Sequence, residues 1–592
     1  MASRRRTAWI ATAALGVAAT VAFAAGSDDW GRSLREPTAD AAYYYAYLPS
    51  LVLDGDLDLA NQYQVTQNWY RLGPTPLGRP GNVFGIGPAV FALPAFVAGH
   101  GLAVATGARR DGFSRWETTL VLWTSIAASL GALALAARLA ARRVGSAAAG
   151  YAGALTAAVA GPLLYYAIRQ PGYAHPFAAL FATLLIERWD ASYDASADAS
   201  ADAAPRSLRC WLVLGAAAGA AALARPQLAV WALLLPAAAI DDVRRRGGVG
   251  LGLGLGRLAA RWAAGAAAAG LVVLPQLVAW KLLYGAWYVV PQGPGFLRWD
   301  APAWSEVVFS SRNGLFPWAP LYAPMAIGVV ALARRGARLP LALLLGLFGQ
   351  AIVNGAAWDW WAGGSFGGRR FDSCYAVFAV GAAALIAAGA RVRGRAARWA
   401  VNLGLAAAAL VAIATVELAA RTSVNSARIT GGQAAAEIWR GRIGGVRGRL
   451  AAALSSASSA PVRAAFACRH AVDLGAYDRL VGVHALGDTY PGLNSYPDKL
   501  RDAVPGPGAM TAPTARVLIG LNRRGSVALR VPAVGSGRVA ITWNGGATAT
   551  ADIAGRGSVE LAGLAPLRGI NTLDIRAPVG TAIAAIEITA GP

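Results

Sequence analysis

Asp40 stands in the run Ala39-Asp40-Ala41-Ala42-Tyr43-Tyr44-Tyr45, shortly after the first apolar stretch of the chain. A carboxylate held near a membrane surface can take the proton of an attacking hydroxyl, which is general-base chemistry. A solvated or helix-capping role competes with that reading for any single loop aspartate, and the position of Asp40 favours chemistry. Farther along, Asp54-Gly55-Asp56-Leu57-Asp58 has the look of a DxD pair, in which Asp56 and Asp58 could hold a divalent cation. A turn rich in Asp and Gly explains the same residues more simply.

Four groups of cationic residues could answer an anion. Arg169 and His175 bracket Gln170-Pro171-Gly172-Tyr173-Ala174, where Arg169 suits a phosphate, and a His at a helix start also serves as a simple anchor. Arg225 interrupts an apolar stretch, a placement that costs a few kcal/mol unless the guanidinium is paired or hydrated, so it should face a polar cavity. Arg312 lies in Ser310-Ser311-Arg312-Asn313-Gly314, and Arg369-Arg370 end the run Trp358 to Gly368. An aromatic belt accounts for the tryptophans of that run. It does not account for Gly363, Gly364, Gly367 and Gly368 beside two arginines, which suit close backbone approach to a phosphate or pyrophosphate.

These groups must be positioned by membrane helices. Of 592 residues 56% are hydrophobic and 14% charged, with mean hydropathy +0.43, which excludes an ordinary soluble protein. Apolar stretches of about 17 to 25 residues recur from Thr7 to Leu418, each long enough as a helix to cross a bilayer. The net charge of +23 sits largely in short arginine-rich loops between them, so it reports topology rather than a nucleic-acid partner. Cys210, Cys374 and Cys468 form no CxxC or disulfide pattern.

Residues 1–26 also fit a cleavable signal peptide, and the favoured reading is an uncleaved first transmembrane helix of a bacterial inner-membrane protein, with Arg4-Arg5-Arg6 placing the N-terminus in the cytoplasm. Residues 27–115 form an extracytoplasmic acidic loop whose segment 83–106, broken by Gly85, Gly87, Pro88, Pro94 and Gly99, spans or lies along the interface. If it does not span, residues 116–420 hold helices that put each basic loop inside, giving about eleven crossings in all. A rival topology makes 83–106 a span and 210–240 one helix, at the cost of Arg142-Arg143 lying outside. The first is preferred, because an unbroken 210–240 would be roughly 46 Å long and Arg225-Pro226 is a natural break.

Residues 190–205 are a low-complexity linker of Asp, Ala and Ser. Residues 421–515 read as an extracytoplasmic linker region, and from 516 to 592 short β-prone runs with Gly and Asn turns predict a small β-sandwich outside the membrane.

An acidic residue just after the first helix, a long first outer loop, many further helices and a soluble C-terminal domain together resemble the GT-C glycosyltransferase superfamily. Protein mannosyltransferases, aminoarabinose transferases and oligosaccharyltransferases are similar in this layout, which covers residues 8 to about 420. Ala39-Asp40-Ala41-Ala42-Tyr43 approximates the Asp-Glu-Ala-x-Tyr pattern of bacterial members, whereas Trp358-Asp359-Trp360-Trp361 departs from the Trp-Trp-Asp-Tyr-Gly motif of oligosaccharide transfer. The resemblance implies a polyprenyl-phosphate sugar donor, an envelope glycan, lipid or protein acceptor, inversion at the anomeric carbon and Asp40 as general base. Arg225, Arg312, Arg369 and Arg370 would neutralise the departing phosphate. A lipid-glycan flippase, guiding an anionic headgroup past Arg225, is the reading from another class.

Overall fold

The computed structural model describes residues 2–26, 33–194, 205–245, 253–293, 296–297, 299, 302–310, 313–357, 360, 366–421, 435–461, 482–485, 508–510, 513–521, 526–566, 569–583 and 585–590. Two compact units divide the chain. The first comprises Met1–Phe296, Leu321–Val353 and Arg369–Thr422, and the second Leu297–Pro320, Asn354–Gly368 and Ser423–Pro592.

The first unit is helical. In chain order it holds α1 (Ala2–Ala25), α2 (Asp40–Pro49), α3 (Ala60–Thr66), α4 (Gly87–Ala105), α5 (Arg115–Val144), α6 (Ala147–Val159), α7 (Leu163–Ile168), α8 (His175–Asp194), α9 (Leu208–Ala224), α10 (Leu234–Arg245) and α11 (Leu253–Tyr284). Among the described residues seven helices are long and apolar enough to cross a membrane, α4, α5 and α11 among them. The chain is therefore a multi-pass membrane protein of helices with a C-terminal antiparallel sheet.

α4 runs unbroken through Pro94 and His100, so its glycines do not interrupt it; two of them, Gly87 and Gly99, let other backbones approach. A Cβ on Gly87 would lie 1.9 Å from the carbonyl oxygen of Leu223, and one on Gly99 would lie 2.7 Å from Cα of Glu117. Glu117 completes a capping box with Ser114 at the start of α5, and its Oε1 accepts from His100 Nδ1 at 2.7 Å. α4 thus has the length that the rival topology requires. The first topology keeps its own premise, since α9 ends at Ala224, Arg225 is extended, and a 3₁₀ segment Pro226–Leu233 follows.

α2 is buried on nearly every side, with Asp40 to Pro49 hidden except Tyr44, which is half-buried. Its tyrosines can be buried because their hydroxyls find backbone or side-chain acceptors: Tyr43 on Asn68 Oδ1 at 2.8 Å, Tyr45 on the Gly112 carbonyl, and Tyr47 on the Phe84 carbonyl at 2.9 Å. Asn82 donates to the Tyr43 carbonyl at 2.9 Å, which ties the 60–86 segment to the same helix.

α8 carries two jobs. Its first residue, His175, enters the site described below, while Glu187 and Asp190, three to four turns on, are buried against arginines of α5: Arg138 at 3.0 Å from Glu187, and Arg143 at 2.7 Å from Asp190. Arg206 reaches Asp242 at 2.7 Å, and Trp211 donates to the same carboxylate at 2.9 Å, so α9 and α10 are pinned at one end by charge.

The second unit begins with α12 (Trp304–Phe309) and α13 (Leu315–Trp318). The first unit then continues with α14 (Tyr322–Leu332), α15 (Arg338–Ala356, whose last turn counts with the second unit), the 3₁₀ turn Arg369–Cys374, α16 (Tyr375–Gly389) and α17 (Arg395–Arg421). α18 (Ala435–Ile443), α19 (Gly445–Ser458) and eight strands belong to the second unit.

The strands are β1 (Gly482–Ala485), β2 (Gly508–Ala509), β3 (Thr514–Leu521), β4 (Val527–Trp543), β5 (Ala547–Leu564), β6 (Gly569–Arg576), β7 (Ala582–Ile583) and β8 (Ala585–Ala590), all paired antiparallel. β4 pairs along one edge with β5 and on the other with β8, then β7, then β6. Gly535 and Gly537, at φ 154° and 121°, let it turn from one set of partners to the next. The β4–β5 hairpin closes on Asn544 and Gly545, both at positive φ, as a primed turn demands. Val527, Leu529, Val531, Val539, Ile541 and Trp543 alternate inward and make its core.

Candidate active site

The site grows from the N-terminus of α2. Asp40 is its first residue, and the preceding Ala39 has φ 49° and ψ −129°, a conformation that costs an L-residue about 1–3 kcal/mol and is held only where surrounding structure insists. The Asp40 backbone N–H donates to Tyr173 Oη at 3.3 Å. Both carboxylate oxygens are engaged: Oδ1 accepts from Tyr70 Oη at 2.6 Å, and Oδ2 accepts from Arg369 Nη1 at 3.3 Å.

The Asp40 and Arg369 side chains are 12% and 16% exposed, so the pair is largely shielded yet reachable. Arg369 opens the 3₁₀ turn Arg369–Cys374, and its buried Nε has no hydrogen-bond partner among the described residues. Of the residues singled out in the sequence, Asp40 and Arg369 are in direct contact.

Arg225 and His175 form the second contact. Arg225 Nη1 lies 2.9 Å from His175 Nδ1, and with the Gln227 amide oxygen turned towards it, Arg225 donates Nε and Nη2 to Gln227 at 2.9 Å each. These partners are neutral acceptors, so the guanidinium is oriented without being neutralised. His175 Nδ1 is also 2.9 Å from Asp372 Oδ2. One ring nitrogen faces both groups and can serve one at a time.

Asp372 joins the two contacts, since it sits three residues after Arg369 and beside His175. Arg370 follows Arg369 directly, and its charge acts on both His175 and Arg225. Arg169 caps α7 through its backbone N–H on Tyr165 at 2.7 Å, and its contribution runs through the loop it begins. In that loop Gly172 donates to Ser125 Oγ at 2.8 Å, and Tyr173 reaches Asp40. Arg312 and most of the Trp358–Ser365 run lie outside the described residues.

Asp56 and Asp58 stand elsewhere. Asp56 Oδ1 accepts from Ser50 Oγ and from the Asp58 backbone N–H at 3.0 Å each, and Asp58 Oδ1 accepts from the Ala60 N–H at 3.1 Å at the head of α3. The described residues contain no group of three His, Cys, Asp or Glu placed to share a metal ion.

Tyr70, Tyr173, Gln227 and Asp372 complete the site without having been singled out. Asp372 had a signal in the spacing Arg369-Arg370-Phe371-Asp372, and Gln227 follows the Arg225-Pro226 break. Tyr70 and Tyr173 had none, because their roles depend on where two separate loops return.

An aromatic stack lies over the carboxylate. The Tyr43 and Tyr70 rings are 5.2 Å apart and nearly parallel at 11°, and Tyr43 also stacks on Phe84 at 5.2 Å. Burial holds the Tyr70 phenol well above its ordinary value, with the Asp40 charge adding to it, and burial pushes Tyr43 up to about 12. Both are neutral donors at physiological pH. Beside α2 lies a narrow apolar crevice lined by Tyr44, Leu48, Ala89, Ala92, Leu122 and Phe177, among others.

The chain matches no family model and no curated protein. Among solved structures it is similar to the apo form of the Archaeoglobus fulgidus oligosaccharyltransferase, at 14% identity and a TM-score of 0.40, over 76% of this chain. The matched part spans 56% of that protein's length.

Proposed function

We propose that this protein is an inverting membrane glycosyltransferase that moves a sugar from a polyprenyl-phosphate donor to an extracytoplasmic acceptor, with Asp40 as general base. The observation that carries this reading is the shielded contact between the Asp40 carboxylate and the Arg369 guanidinium, a base and an anion-binding cation in one place.

The acceptor hydroxyl attacks the anomeric carbon, the bond from that carbon to the phosphate oxygen breaks, and the hydroxyl proton passes to Asp40. Arg369 takes the departing phosphate, using the Nε that lacks a partner among the described residues. Donor and Asp40 compete for the same guanidinium, so donor binding draws Arg369 off Oδ2 and leaves the carboxylate a stronger base. Arg225, held by His175 and Gln227, adds a further positive charge, as does Arg370, and Arg169 is kept as a donor-binding candidate. Arg312 is kept as a donor-binding candidate.

A bacterial inner-membrane location with the N-terminus in the cytoplasm and the C-terminal domain outside fits the arginine-rich loops. The test is purified protein in vesicles with a panel of polyprenyl-phosphate monosaccharides: release of polyprenyl phosphate that depends on Asp40 supports transfer. Movement of intact lipid-linked sugar across the bilayer without such release would make the protein a flippase instead.

A further inference from the structure

Tyr70 occupies the place from which a hydroxyl must approach Asp40. A general base needs the proton it removes within about 2.6–3.2 Å, and Tyr70 Oη already lies 2.6 Å from Oδ1. With Arg369 on Oδ2, each oxygen of the carboxylate already carries a donor. We propose that Tyr70 is a displaceable stand-in for the acceptor, and that the acceptor is a hydroxyl carried on a ring, a pyranose of a glycan, which takes the slot that the Tyr70 ring leaves against Tyr43. The proposal rests on Asp40 being the base.

The slot has the shape of a ring. Tyr70 packs parallel to Tyr43 at 5.2 Å and at 28° to Phe84 at 5.9 Å, so its departure bares a flat aromatic face next to a carboxylate. The apolar face of a sugar covers such a surface while an edge hydroxyl points to the base. An acyclic alcohol has no face to offer it.

The 67–72 loop is built to leave. Gln67, Asn68 and Arg71 have φ 65°, 35° and 49°, three non-glycine residues in the left-handed region within five positions. Only Asn tolerates that region readily, so the loop stores strain in its closed form. Three amide bonds hold it: Tyr70 N–H on Tyr43 Oη at 2.6 Å, Leu72 N–H on Asn68 Oδ1 at 3.0 Å, and Arg71 N–H on the Asn68 carbonyl at 2.7 Å. Tyr70 is 47% exposed as a residue, although its hydroxyl end is buried against Asp40.

The experiment needs no donor. Full-length protein in nanodiscs is followed by amide hydrogen exchange with methyl pyranosides of glucose, mannose, galactose and arabinose, and with glycerol at equal concentration. The expected result is faster exchange at residues 70–72 with at least one pyranoside and none with glycerol. Tyr70→Ala should bind that pyranoside about tenfold tighter or more, since a hydrogen bond to a charged group no longer has to be broken. Tyr70→Phe, which keeps the ring and folds as the wild type does, should fall between them.

Unchanged exchange with every sugar, or an equal response to glycerol, overturns the proposal, and so does weaker binding in Tyr70→Phe. A loop that answers to pyranosides in a protein that transfers no sugar keeps the slot and removes the proposed reaction.

Discussion

Arg369 Nη1 meets Asp40 Oδ2 at 3.3 Å across 329 residues of chain, so the carboxylate after the first helix and the cation before α16 are parts of one centre. Local backbone places each residue, and only the fold brings the two together. Asp40 is set by the Ala39 backbone and by Tyr173, and Arg369 by the 3₁₀ turn that precedes α16.

Removing one side of the pair should have unequal effects. Asp40→Asn keeps an acceptor for Tyr70 and should leave stability within about 1 kcal/mol while lowering turnover by about 10²–10⁴. Arg369→Ala strands a shielded carboxylate and should cost stability by up to about 3–5 kcal/mol as well as weaken donor binding. Thermal unfolding and donor saturation on both variants and their double mutant check this, and strict additivity in the cycle would contradict a direct contact.

Arg225 is held in direct contact by the neutral side chains of Gln227 and His175, which suits the anion binding proposed for it. Gln227→Glu places a carboxylate on Nε and Nη2, which should raise the donor KM about tenfold or more with little loss of protein. Donor titration under matched expression decides it. An unchanged KM would mean that Arg225 is an internal anchor.

Two glycines of α4 should respond in opposite directions. Gly87→Ala drives a methyl into the Leu223 carbonyl beside Arg225, so it should lower the melting temperature and, through Arg225, donor affinity. Gly101, in the same helix, has nothing within 4 Å of an added Cβ. Gly101→Ala should stabilise by roughly 0.5–1 kcal/mol, as read by thermal unfolding of the two variants side by side.

Alkali should loosen the aromatic stack. Tyr43 ionises near 10.0 in the unfolded chain and at about 12 in the folded one, so the folded form holds its proton more tightly. That contribution is complete below pH 10 and is lost as pH rises to about 12. Tyr43→Phe lacks this term, so the stability gap between wild type and variant should narrow across that window. A constant gap from pH 9 to 12 would show that Tyr43 is not coupled to folding.

Asp40, Arg369, Arg225 and His175 were legible because a lone charge beside or inside an apolar helix is expensive and so stands out. The break at Arg225-Pro226 was legible for the same kind of reason, since proline ends a helix locally. α4 was harder to read: its glycines look like interruptions until Leu223 and Glu117 are seen pressing against them. The runs Val527–Val531 and Val539–Trp543 look like two strands, and they are the ends of β4, continuous through Gly535 and Gly537. Tyr70 escaped because nothing local distinguishes a loop tyrosine that caps a carboxylate thirty residues away.

The most direct test compares envelope glycans and lipid-linked sugars by mass spectrometry in cells holding equal amounts of wild-type or Asp40→Asn protein. Loss of one glycan substituent together with a build-up of one polyprenyl-phosphate monosaccharide is the predicted result. Identical profiles from the two strains would contradict Asp40 as the base of a sugar transfer.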